Sequence, residues 1–336
     1  MKKTLAALIV TAFAASAANA AVVYDNEGTK VELNGSLRLI MEKADKKEYT
    51  AAGQSTKKAN SALRNAGSRF GITVKHNLDN DFYALGRLES RFDDTESRDQ
   101  FGSLYAKRAY VGLGSKATGD ITFGRQLTIA DDLTQANDYE YGFIPKGKYI
   151  PTSGTGVVRY DYKGIEGLQL SANYNFGQTN NEKGKPLNPG IKNAYAVGAL
   201  YTAGDLDARL AYGHTNFETG ASYAHRLDGV LASLGYKFGD FTLTGDFAYG
   251  HEKFDDEKTN KFYVAPGFAY QVLPASKVYG NYLYERVKGE NTKDKTHGFL
   301  LGADYKLHKQ VVLFVEGKYV TTKEYVNDTY DGKTKD

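Results

Sequence analysis

Leu168-Gln169-Leu170-Ser171-Ala172-Asn173-Tyr174-Asn175-Phe176 alternates apolar and polar side chains without a break. Successive side chains of a β-strand point to opposite faces, so this stretch has one oily face and one wet face. The same period recurs in both directions along the chain. Phe241, Leu243, Gly245, Phe247 and Tyr249 interleave with Thr242, Thr244 and Asp246, and Val31, Leu33, Leu37, Leu39 and Met41 interleave with Glu32, Asn34, Ser36, Arg38 and Glu42. No amphipathic helix of ordinary length competes with this pattern. The 336 residues are 41% hydrophobic and 13% aromatic, with 36 Gly, 26 Tyr and 17 Phe, yet the mean hydropathy is −0.50. A bundle of membrane-spanning helices needs repeated runs of about 20 apolar residues, and the longest apolar run beyond the N-terminus is Val311–Val315. Cysteine is absent, which removes disulfide scaffolds, thiolate metal sites and a Cys nucleophile.

The alternation places fifteen strands, near 29–42, 68–77, 82–92, 104–114, 119–126, 156–163, 168–176, 193–202, 205–213, 226–238, 241–250, 261–272, 276–287, 296–306 and 310–321. Short links such as Asp79-Asn80-Asp81, Gly239-Asp240 and Leu307-His308-Lys309 alternate with long polar links at 43–67, 93–103, 177–192, 251–260 and 322–336. Short turns at one end and long loops at the other describe a transmembrane antiparallel up-and-down β-barrel. A secreted β-sandwich also alternates. It does not call for Asn, Ser, Arg and Glu along the whole polar face, nor for Tyr and Phe near strand ends, where aromatic girdles meet lipid headgroups. Bacterial single-chain barrels close with an even number of strands. Fifteen strands and a polar end at Lys323–Asp336 lead to the expectation of a chain one strand short at its C-terminus.

Residues 1–20 have the form of a secretory signal peptide: basic Met1-Lys2-Lys3, an apolar stretch from Thr4 to Ser16, and the small-x-small site Ala18-Asn19-Ala20. Residues 21–336 form one domain, since no composition break divides them. With Lys2 and Lys3 gone, 41 basic side chains face 40 acidic ones. That balance supplies no basic excess for nucleic-acid binding.

Strand parity defines an inner wall. With the apolar partners toward lipid, Arg38, Arg69, Lys75, Arg87, Arg91, Lys107 and Arg159 face the lumen; Arg108 beside Lys107 leaves the parity of that strand open. The link Leu127–Thr155 is too long and too apolar for a plain loop, holding Ile129, Leu133, Tyr139, Tyr141, Phe143, Ile144, Tyr149 and Ile150. It is expected to fold into the lumen. Its acidic first half, Asp131, Asp132, Asp138 and Glu140, would then face the wall, with overlapping fields acting on passing ions.

These residues resemble the Gram-negative general porins, and within them the major porins of Haemophilus-like Pasteurellaceae. The resemblance rests on MKKTLAALIV with AANAAVVY, Gly67-Ser68-Arg69-Phe70, Ala109-Tyr110-Val111-Gly112-Leu113-Gly114, Phe123-Gly124-Arg125, Glu140-Tyr141-Gly142, Tyr149-Ile150-Pro151-Thr152-Ser153-Gly154 and Lys306-Leu307-His308-Lys309-Gln310. It implies a 16-stranded homotrimeric barrel, in the outer membrane with its lipopolysaccharide, inserted by barrel assembly machinery and constricted by its third extracellular loop. It also implies constriction carboxylates at Asp132, Asp138, Glu140 and Glu89. The facing bases would be Arg69 and Lys107, with Arg38 in place of a family lysine that is Ser36 here, and Arg87 and Arg91 flanking Glu89. The family ends its last strand with an aromatic residue, whereas this chain ends Lys335-Asp336.

Enzymatic chemistry finds little support. Gly142, Gly147 and Lys148 imitate a phosphate loop, but Tyr149 replaces its Ser or Thr and Pro145 interrupts it. The six His are dispersed, and Ala211-Tyr212-Gly213-His214 recurring as Ala248-Tyr249-Gly250-His251 marks two equivalent strand ends. The sequence therefore leads to a passive channel for ions and small hydrophilic solutes, with no cofactor and no metal. The alternatives are a selective channel for small anionic or nucleotide-like solutes and a plugged structural barrel.

Overall fold

The structure, a computed structural model, describes residues 10–14, 20–43, 45–50, 53–58, 62–93, 101–219 and 224–335. Of the expected leader, only Val10–Ala14 and Ala20 fall among them. The strands in chain order are β1 Val10–Ala14, β2 Ala21–Asn26, β3 Thr29–Ser36, β4 Arg38–Glu42, β5 Asp45–Thr50, β6 Gly53–Lys58, β7 Ala62–Asn65, β8 Arg69–Asn77, β9 Phe82–Phe92, β10 Leu104–Ser115, β11 Gly119–Leu127 and β12 Ser153–Ile165. There follow β13 Leu168–Asn175, β14 Gln178–Asn180, β15 Pro186–Ala203, β16 Leu206–Phe217, β17 His225–Phe238, β18 Phe241–Phe254, β19 Glu257–Leu273, β20 Ser276–Lys288, β21 Thr292–His308, β22 Val311–Val326 and β23 Thr329–Lys335.

All fifteen expected strands are present, the first divided at Leu37 into β3 and β4. Several run further at their long-loop ends, as β15, β21 and β22 do, because hairpin pairing continues past the point where the apolar face stops. Each crossing pairs antiparallel with the next, from β3–β8 and β8–β9 through β21–β22. The segment β1, which belongs to the expected leader, pairs with β22 and with β4, Val10 opposite Glu316 and Thr11 opposite Met41.

Burial along the strands separates the two faces. On β8 and β9, Phe70, Ile72 and Leu88 are exposed on the outside, while Glu89 is buried on the inside. The apolar core of the molecule does not lie between two layers. It sits inside the lumen, where Ile129, Ala130, Leu133, Phe143, Tyr149 and Ile150 of the β11–β12 connection pack on Ala196, Ala211, Leu231, Ala248, Tyr263, Tyr279, Leu283 and Leu300 of the wall. The lumenal face of β15–β21 is thus not uniformly polar.

Candidate pore constriction

The connection between β11 and β12, residues 128–152, is termed L3. Its neck is closed by Thr128, whose amide and hydroxyl donate to the carbonyls of Thr152 (3.0 Å) and Pro151 (2.6 Å). The 3₁₀ turns Ile129–Leu133 and Lys146–Lys148 form its two limbs, bridged by the Lys146–Asp131 ion pair at 3.3 Å. At its tip, Asp138 accepts the amides of Glu140 (3.0 Å), Tyr141 (2.7 Å) and Phe143. An Asp side chain bonding the backbone just downstream stabilises a turn. Gly142, at φ +58°, supplies the left-handed residue this turn needs.

A cross-strand row of small residues seats L3. Ala196 faces Gly213, Gly213 faces Gly229, and Gly229 faces Gly250. A Cβ at Gly213 would lie 2.6 Å from Ile150, and one at Gly229 would lie 2.3 Å from the Tyr149 carbonyl oxygen. The two Tyr-Gly-His repeats therefore carry the glycines over which Tyr149 and Ile150 lie. Wall carboxylates hold the rest of the loop by its backbone. Asp246 accepts the amides of Gln135 (3.0 Å) and Ala136 (3.1 Å). Glu316, fully buried, accepts those of Tyr139 (2.7 Å) and Glu140 (3.2 Å) and the Tyr279 hydroxyl (2.7 Å). Glu285 takes the Tyr149 hydroxyl and the Lys148 ammonium. Burial pushes the phenols of Tyr139, Tyr141 and Tyr149 above their usual range.

The opposite wall is basic. Arg69 stands directly across from Arg91, and Glu89 lies between Gly71 and Arg108. Glu89 accepts from Arg87 (2.7 Å) and Arg91 (2.8 Å), its strand neighbours on the same face. A β-bulge at Lys107 breaks the β9–β10 register. An extra residue in one strand shifts its parity, so Lys107 and Arg108 both turn inward and the ambiguity of that strand is resolved. Arg38, Arg69, Arg91 and Arg108 lie close enough to repel one another.

Pairing divides the expected residues into two groups. Glu140 meets Arg64 at 2.7 Å, and Arg64 also binds Glu42. Asp132 meets Arg159 at 2.8 Å, with Asp161 on the same guanidinium. Lys107 is ion-paired with Glu182, far along the chain. Among the described residues, Arg38, Arg69 and Arg108 have no carboxylate partner. Arg64, Arg108, Asp246, Glu285 and Glu316 were not singled out from sequence. Arg64 falls in an expected link; the adjacent pair Lys107-Arg108, breaking an otherwise strict alternation, is a readable signal for the bulge.

Amphipathic antiparallel strands, apolar outside and charged inside, with a loop packed against their inner face, fit a transmembrane β-barrel channel. A family model described as Gram-negative porin matches residues 4–325, and the chain belongs to that family. The major outer membrane protein of Pasteurella multocida (strain Pm70) is 32% identical to it over 364 residues, 97% of each chain. OmpT of Vibrio cholerae, an outer membrane protein folded in vitro, superposes with a TM-score of 0.69 at 16% identity, covering 94% of this chain and 98% of that one. The anion-selective porin from Comamonas acidovorans gives 0.60 at 17%, covering 91% and 98%. The protein is thus a porin channel of the outer membrane and not an enzyme.

Proposed function

We propose that this porin passes small hydrophilic solutes and ions by diffusion, and that its constriction favours anions. One observation carries the sign: Arg38, Arg69 and Arg108 lack carboxylate partners among the described residues, whereas Glu140, Asp132 and Asp131 of L3 are each ion-paired. Asp138 acts through the L3 turn more than through its field. In this reading Arg87 and Arg91 share the single carboxylate of Glu89, a cluster that keeps one positive charge, and Lys107 is neutralised by Glu182.

The magnitude follows from Coulomb's law. An anion about 6 Å from one unpaired guanidinium in water gains roughly 0.7 kcal/mol, cut to about half at physiological salt, and a cation loses as much. Each such arginine is worth about threefold in the anion-to-cation ratio. Reversal potentials of reconstituted channels across a KCl gradient test this. Arg69→Gln and Arg38→Gln should each move the potential toward cation preference, and no movement in a folded, conducting variant overturns the assignment.

The proposal extends to a homotrimer, supported by a Vibrio cholerae OmpT structure described as a trimer form. Contacts with outer-membrane lipid and lipopolysaccharide, insertion by barrel assembly machinery, and an export leader at residues 1–20 belong to the same reading. Mass measurement of the detergent-solubilised protein tests the trimer.

A further inference from the structure

The hairpin between β13 and β15 departs from a simple extracellular loop. Within it, β14 pairs with the start of β15, and a turn follows in which the Asn181 side chain accepts the amides of Lys183 (2.9 Å) and Lys185 (3.0 Å). Gly184, at φ +77°, completes the turn. From there the hairpin reaches over its neighbours. Glu182 is ion-paired with Lys107 of β10, and Lys183 with Asp93, which follows β9. The Glu182 carbonyl also accepts from Arg125 of β11 (3.1 Å), and the Lys183 ammonium lies 5.8 Å from the Tyr105 ring.

The two ion pairs have opposite polarity. The hairpin presents a carboxylate and then an ammonium; the wall presents an ammonium and then a carboxylate. Neither pair can exchange partners without bringing like charges together, so the register of the hairpin on the wall is fixed. All four side chains are largely buried, between 14% and 24% exposed, and such pairs are screened less than open surface pairs. The β11 and β12 positions lie between the base of the hairpin and its landing place. At about 4.8 Å per strand this is a reach of roughly 15 Å along the wall, so the hairpin lies over the rim above β11 and β12 and narrows that side of the mouth. On its other side the hairpin borders a cavity of about 460 Å³, shared with Lys148 of L3, with Phe217 of the adjoining β16 and with Lys261 of β19.

We propose that residues 178–186 form a strap over one side of the extracellular mouth, tied down on β9 to β11, a second constriction that sieves solutes by size before they reach L3. Lys107 is then a positioning residue for the strap. The inference rests on the channel reading above, and its test separates the two. The chain contains no cysteine, so Asp93→Cys with Lys183→Cys places the only two thiols at the strap and its landing site. A short bis-methanethiosulfonate bridges them reversibly. In a second variant, Lys107→Gln with Glu182→Gln removes the other anchor.

Single-channel conductance and liposome swelling with neutral mono-, di- and trisaccharides are read on full-length protein. The bridged form should conduct no more than wild type and exclude the larger sugars. Reductant should raise both readings in the same sample, and the doubly neutral variant should behave like the reduced form. Equal conductance and equal sugar uptake in the bridged, reduced and neutral states overturn the strap. A wild-type protein that conducts nothing overturns the channel reading instead.

Discussion

Substitution at Gly229 tests whether L3 is seated on the small-residue row. A Cβ there would lie 2.3 Å from the Tyr149 carbonyl oxygen and 3.0 Å from both the Tyr149 carbonyl carbon and Ile150 Cγ1. Ordinary contact begins near 3.4 Å, so even Gly229→Ala requires a separation of about 1 Å between loop and wall. The obstacle is backbone, so no rotamer change relieves it. Gly229 is paired on both sides, to Gly213 and Gly250, so the loop yields before the wall does. Overpacking of this kind costs about 1–3 kcal/mol. Gly229→Leu exceeds what a shift can absorb and forfeits part of the burial of Tyr149 and Ile150, worth about 1.5–3 kcal/mol for a large side chain. The displaced loop moves into the lumen. In planar bilayers, conductance should fall from wild type to Gly229→Ala to Gly229→Leu, with rising open-channel noise. Gly245 is the control: it lies on the neighbouring strand with no atom within 4 Å of its ideal Cβ, and Gly245→Leu should conduct like wild type. A folded Gly229→Leu channel with unchanged conductance and noise would refute the seating of L3.

Other expectations follow from the same contacts. Asp246→Ala leaves the amides of Gln135 and Ala136 without their carboxylate, at about 1.5–3 kcal/mol for each charge-assisted bond; faster protease cleavage within residues 130–145 of the folded protein is the readout. Glu140→Gln frees Arg64 from one of its two carboxylates and should move the reversal potential toward anions, whereas Asp138→Asn should chiefly raise noise and lower thermal stability by weakening the turn. The raised phenols of Tyr139, Tyr141 and Tyr149 give a pH dependence. Unfolded tyrosines ionise near pH 10 while the folded ones keep their protons, so stability holds below about pH 10 and declines as pH rises further. Urea midpoints at pH 9 and 11 should show that decline, and Tyr149→Phe should shrink it.

The period of two was sufficient for the strand positions because every crossing has lipid on one side and water on the other. From Leu168–Phe176 alone the orientation of a strand follows, and repetition of the pattern places Arg69, Arg87, Glu89 and Arg91 on one inner wall. The same regularity signals an inward loop, since 128–152 is too apolar to stay in solvent. Parity fails where a strand is bulged: at Lys107 an inserted residue turns two consecutive bases to the same side, and only pairing with β9 reveals it.

Charge compensation was beyond the sequence for a different reason. Glu140 and Arg64 are 76 residues apart, Lys107 and Glu182 are 75 apart, and Tyr139 and Glu316 are 177 apart. Such partners are chosen by the curvature of the sheet and the path of L3, which bring distant strands together. Sequence by itself determined an amphipathic antiparallel barrel with an acidic inward loop and a basic wall, because local alternation encodes which face meets lipid. Tertiary structure decided which charges cancel. It seats the loop on glycines of β16–β18, ties its carboxylates to Arg64 and Arg159, and leaves Arg38, Arg69 and Arg108 unpaired among the described residues, since an ion pair depends on distance in space and not on position along the chain.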